Sequence, residues 1–150
     1  PPYTRRFGVT QTSSMGTHKF RCIDDFAQPL INCTVTVSRI IKMGSISDLV
    51  VSLRRLRRAH PEAPLNVLTS DFKAAYRSCP ITPKHVKYSN ILLRDPFTNK
   101  ILVSPQLAMP FGAVAAVYAW DRLGEAFTAI LRKIFPVPAS RYVDDLIMPT

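Results

Sequence analysis

The segment Arg141-Tyr142-Val143-Asp144-Asp145-Leu146-Ile147 constrains the fold most narrowly. Two adjacent carboxylates stand between strand-forming pairs, Tyr142 and Val143 before them and Leu146 and Ile147 after. The pattern predicts a tight β-hairpin with an acidic tip. Neighbouring carboxylates repel, so without a compensating cation such a tip destabilises the fold or raises one pKa. A bound divalent metal is one source of that cation. Asp is also a favoured turn residue, and an ordinary solvated turn carries the same letters.

Residues 1–17 are rich in Pro, Thr, Ser, Gly and Arg without periodicity, which predicts a loop or extended entry segment. The stretch from His18 to Phe26 follows as a strand in which Phe20, Cys22 and Asp24 alternate with Lys19, Arg21 and Ile23. Lys19 and Arg21 therefore share one face. Two such cations can grip a triphosphate, the Arg bidentately and the Lys as a point charge, or can simply be a solvated strand face. Ser45 or Ser47 can cap a helix that runs to about His60 and stops before Pro61. At about 100° per residue Ile46, Leu49, Val50, Leu53 and Leu56 lie together, Arg55 and Arg58 lie opposite, and Arg57 intrudes on the apolar side. The Arg run suits a solvated face or contacts with phosphates.

Leu65 to Ser70 reads as a strand ending at Asp71, followed by a helical turn over Phe72 to Tyr76. Lys87 to Leu93 and Lys100 to Ser104 form a predicted hairpin around Arg94 to Asn99. After Pro110-Phe111-Gly112, a helix is expected from about Ala113 to Phe135, ended by Pro136 and Pro138, with Val117, Trp120, Leu123, Phe127, Ile130 or Leu131, and Ile134 on its apolar face. The expected class is α+β, an antiparallel sheet backed by helices.

Twenty Lys and Arg against ten Asp and Glu give a formal charge of +10, which favours a polyanionic partner, nucleic acid first. The three cysteines, Cys22, Cys33 and Cys79, are too few and too scattered for a disulfide framework or a zinc site, and they fit a reducing compartment. No apolar run approaches the ~20 residues that span a bilayer, so the expectation is a soluble intracellular protein, cytoplasmic or nuclear, with no membrane partner. The chain opens on Pro1 and stops shortly after the acidic pair, as an excerpt of a longer polyprotein or reading frame would.

Together these segments resemble the fingers and palm of a reverse transcriptase, an RNA-directed DNA polymerase. Asp71-Phe72-Lys73-Ala74-Ala75-Tyr76, with Pro80-Ile81 behind it, resembles the family's motif A. Met109-Pro110-Phe111-Gly112-Ala113 with its helix is similar to motif B, and Tyr142-Val143-Asp144-Asp145 is a form of the Tyr-x-Asp-Asp of motif C. Lys19-Phe20-Arg21-Cys22-Ile23-Asp24-Asp25-Phe26 resembles the fingers strand that contacts the incoming triphosphate. All four elements stand in the family's order, from about Phe7 onward, and their details are closer to retrotransposon than to retroviral enzymes. On this resemblance residues of about 1–64 and 82–108 are fingers-like, about 65–81 and 109–150 are palm, and the thumb is absent.

The resemblance implies template-primer nucleic acid and dNTP as partners and two Mg2+ ions as cofactors, with Mn2+ as a substitute. Joining a 3′-hydroxyl to an α-phosphate is an in-line displacement helped by two metals that stabilise the attacking and leaving oxygens. Mg2+ takes hard oxygen ligands from carboxylates and substrate phosphates. By resemblance Asp71 and Asp144 are the principal ligands, Asp145 assists, and Phe72 offers its backbone carbonyl. Tyr76 would pack under the sugar and exclude a 2′-hydroxyl, while Phe111 and Gly112 would lie beside base and ribose. An RNA-dependent RNA polymerase usually carries Asp where this chain has Tyr76. A noncatalytic nucleic-acid-binding remnant of a retroelement would keep the motifs and the basic surface without the activity.

Overall fold

Ser45 opens the first helix with a reciprocal cap. Its hydroxyl accepts from the Asp48 backbone N–H at 3.2 Å, and the Asp48 carboxylate accepts from the Ser45 backbone N–H at 2.8 Å. Helix α1, Ile46–Ala59, follows in the computed structural model, which describes residues 2–13 and 15–150. The Asp48 carboxyl is held below its usual range by those hydrogen bonds with Ser45. A depressed carboxyl adds stability above its unfolded pKa, and that share is lost as pH falls through the folded value. Ser45→Ala is expected to lower stability by about 1 kcal/mol. It should also flatten the acid limb of the stability curve, and urea denaturation at pH 7 and pH 3 reads both effects.

The chain forms two compact units, Pro1–Ser38 with Tyr76–Ala119, and Arg39–Ala75 with Trp120–Thr150. In the first, strands β1 (Tyr3–Thr12), β2 (His18–Asp25), β4 (Asn90–Arg94) and β5 (Ile101–Pro105) form a sheet in the order β2-β1-β4-β5. The β1–β2 and β4–β5 pairs are antiparallel, but β1 runs parallel to β4, so this sheet is mixed. Of the loop or extended entry segment expected over residues 1–17, the extended form is what the described residues show, with β1 over Tyr3–Thr12. Arg5 to Thr12 pairs residue for residue with Asp25 to His18. Most of β1 is exposed, so it carries no apolar alternation, and distant pairing rather than local pattern makes it a strand. The hairpin predicted to start at Lys87 starts at Asn90, behind a short helix α2 (Pro83–Val86). Phe26, Ala113 and Ala116 form the buried cluster of this unit, with Ile31, Tyr76 and Met109 packed on it.

In the second unit β3 (Val67–Asp71), β6 (Ser140–Tyr142) and β7 (Asp145–Pro149) form an antiparallel sheet in the order β3-β7-β6, and α1 contacts β7. The class is α+β, with one antiparallel and one mixed sheet. The face of α1 differs from the helical-wheel expectation. Leu49, Ser52, Leu53 and Leu56 are half-buried, whereas Ile46 and Val50 are exposed. Arg57 turns to the end of its own helix, where Nη1 donates to the carbonyls of Pro61 and Ala63 at 2.7 and 3.0 Å.

Helix α3 (Val114–Lys133) has the predicted period with a different phase. Its buried stripe is Ala116, Trp120, Asp121, Gly124 and Thr128, while Leu123, Phe127 and Ile130 are exposed. Small residues on the inner stripe admit a close neighbour. A Cβ on Gly124 would stand 2.3 Å from Arg141 Nε, so the Arg141 side chain occupies the place a side chain at 124 would take. Glycine inside a helix costs roughly 1 kcal/mol relative to Ala, and the space left for Arg141 is the physical reason for it here. Among the described residues no helix is long and apolar enough to cross a membrane.

Candidate active site

Strand pairing brings two separated acidic segments to one end of the second unit's sheet. Asp71, the last residue of β3, lies directly opposite Asp145, the first of β7. Residues opposite each other in an antiparallel pair project to the same face, so these two exposed carboxylates share a side of the sheet. Asp144 precedes in the turn, half-buried, and its carbonyl accepts from the Phe72 backbone N–H at 3.2 Å. The segments around Asp71 and Asp144-Asp145 are thus locked in register at the acids. The Phe72 ring is an anchor, edge-on to Trp120 at 5.1 Å between centroids and stacked on Phe127 at 5.5 Å.

The β6–β7 hairpin closes through a two-residue loop, Val143-Asp144, with Tyr142 opposite Asp145. Val143 has φ 54°, at a position that primed hairpin turns give to glycine. Its carbonyl accepts from Trp120 Nε1 at 2.8 Å and from Arg141 Nη1. Arg141 Nη2 donates to Asp121 Oδ1, while Asp121 Oδ2 accepts from Arg39 Nη2 at 2.5 Å. Arg39 Nη1 reaches Glu125 Oε2 at 2.7 Å. Side-chain exposure is 6% for Arg141 and 3% for Asp121, so this pair is buried. Trp120, placed by the sequence on the apolar face of α3, is 2% exposed and also donates to the acidic turn. Sequence reasoning missed Asp121 and the role of Arg141. The available signals were an acid beside Trp120 in an apolar helix and a glycine three residues later.

In the first unit, Lys19 and Arg21 are exposed on β2, opposite Gln11 and Val9, with the shared face their spacing predicts. Asp24 faces the other way and is buried. Arg6 Nε and Nη2 donate to its two carboxylate oxygens at 2.7 and 3.0 Å, which raises the Arg6 pKa. The Tyr76 and Phe111 rings meet at 5.7 Å between centroids. Gly112 has φ 108°, and a Cβ there would stand 2.3 Å from the Asp24 carbonyl oxygen, so the close backbone approach at this glycine comes from the chain itself. Asn32, another residue sequence reasoning missed, receives the Val114 N–H on Oδ1 at 2.9 Å and donates from Nδ2 to the Gly112 carbonyl at 3.0 Å. It thereby caps α3 from a distant segment. A cavity of about 370 Å3, lined by Ile31, Ile81, Tyr88, Met109 and Pro110 among others, contains none of the sequence-predicted site residues.

All three cysteines are free, and burial raises the Cys79 thiol pKa. Among the described residues no three His, Cys, Asp or Glu side chains form a group able to hold a metal ion. The donor types at the acidic end still suit Mg2+. Hard carboxylate oxygens on Asp71 and Asp145 share one side, with Asp144 adjacent, and Mg2+ commonly completes its shell with water and substrate phosphates rather than an all-protein cage. No protein-family model matches this chain, and no curated protein is significantly similar to it.

Proposed function

We propose that this chain is the fingers and palm portion of a reverse transcriptase, adding dNTPs to a primer 3′ end on a nucleic-acid template. The observation that supports it best is the register of Asp71 against Asp145, with Phe72 bonded to Asp144. Two segments that resemble separate polymerase motifs are paired in register at these acidic residues. Asp71, Asp144 and Asp145, with the Phe72 carbonyl, would hold Mg2+ together with water and substrate phosphates, and a metal bound there would supply charge stabilisation to the reacting oxygens. Lys19 and Arg21 grip the triphosphate as point charge and fork. Tyr76, packed on Phe111, takes the space a 2′-hydroxyl would need, and Gly112 lies beside base and ribose. Localisation in cytoplasm or nucleus accords with the free thiols.

Single-nucleotide extension of a DNA primer on an RNA template, in Mg2+, tests the proposal. The expected result is incorporation of dNTP and not of rNTP. Template binding that weakens steeply with salt, without any incorporation, would identify a noncatalytic binding remnant instead. Tyr76→Val is expected to narrow the dNTP preference over rNTP at least about tenfold, because only steric exclusion is removed. An unchanged preference would remove Tyr76 from sugar selection.

A further inference from the structure

We infer that Trp120 and Arg141, the latter aimed by Asp121, are positioning residues that hold the acidic turn in its left-handed conformation. This rests on the polymerase reading only for what the turn then does. A β-branched residue at φ 54° is disfavoured, since Cβ crowds its own backbone, and such a conformation persists only where the surroundings over-determine it. Here they do so at one atom. The Val143 carbonyl oxygen receives two donors, the Trp120 indole N–H and an Arg141 guanidinium N–H.

Each donor is itself fixed. Trp120 is buried and its ring meets Phe72, the residue after Asp71. Arg141 spends its other terminal nitrogen on Asp121, and its stem lies on Gly124. Trp120 and Asp121 are consecutive on α3, so one helix position sets both donors. The peptide that they hold is the one immediately before Asp144, and its orientation sets where the Asp144 and Asp145 carboxylates project. Groups that orient metal ligands without touching the metal typically change affinity 10–100-fold when removed.

Trp120→Phe keeps an aromatic ring and removes one donor, and Arg141→Met removes the other. Hydrogen–deuterium exchange of the segment from Tyr142 to Leu146 is the primary readout, and Mn2+ titration by water-proton relaxation is the second. The expected result for Trp120→Phe is at least about tenfold faster exchange in that segment and at Phe72, no change along α1, and Mn2+ binding weakened about tenfold or more. Arg141→Met is expected to act in the same direction, and the double variant to fall short of the summed effects, since both donors serve one oxygen. Unchanged exchange in Trp120→Phe overturns the inference, as does acceleration spread evenly over the chain. Local acceleration in a protein whose wild type binds no Mn2+ would keep the positioning role and remove the polymerase reading.

Discussion

Asp144→Asn is expected to lower metal-dependent dNTP incorporation at least about a thousandfold while leaving template binding intact. The amide keeps the size of the side chain and removes the charge that a hard cation needs. Metal stabilisation of the reacting oxygens amounts to several kcal/mol, and each ~1.4 kcal/mol is a factor of ten in rate. The turn itself should not suffer. Asp144 adjoins Asp145, which stands opposite Asp71, so removing one of three neighbouring charges relieves repulsion in the metal-free protein. Melting without metal should therefore stay level or rise, and the stabilisation that Mn2+ is expected to give the wild type should vanish. Incorporation retained within tenfold would dissociate Asp144 from the chemistry.

Asp121→Ala is expected to be the most damaging single change to the fold of the second unit. It strands Arg141, 6% exposed, without its counter-ion, and takes from Arg39 one of two carboxylate partners. Breaking a buried pair on one side costs about 3–5 kcal/mol, because the remaining charge stays desolvated. Against a typical domain stability of about 5–15 kcal/mol this approaches unfolding. Asp121→Ala combined with Arg141→Met should recover much of the loss, since an apolar replacement of both partners leaves no uncompensated charge. Urea denaturation of the single and double variants decides the matter. A loss under about 1 kcal/mol for the single variant would mean that solvent reaches Arg141.

The candidate site was legible where its signals are local. Tyr142-Val143-Asp144-Asp145 announces a hairpin with acids at its tip, and the hairpin is present with Asp145 opening β7. Leu65 to Asp71 announces a strand ending on an acid, and β3 ends there. That these two acids face one another was not readable from either segment, because register across a sheet depends on which strands become neighbours. The same holds for Gly112. The sequence marks a residue that tolerates close approach, but the group that approaches, the Asp24 carbonyl, comes from a strand far away in the chain.

By itself the sequence determined the elements whose causes lie within a few residues. The Ser45–Asp48 cap starts α1, prolines end α1 and α3, and short apolar runs beside turn residues mark β4, β5 and the last hairpin. Caps, turns and periodicity act through contacts no more than about four residues apart, so they are written in adjacent letters. Only the tertiary structure decided that the polar N-terminal segment is a strand, which stripe of α3 faces inward, and that Asp121 joins Arg141 and Arg39. Those outcomes rest on partners 20 and 82 residues from Asp121, and on a β1–β4 pairing between the two chain segments of the first unit. A buried charge is stable only beside its partner, and which partner it meets is set by how the elements pack rather than by its neighbours in sequence.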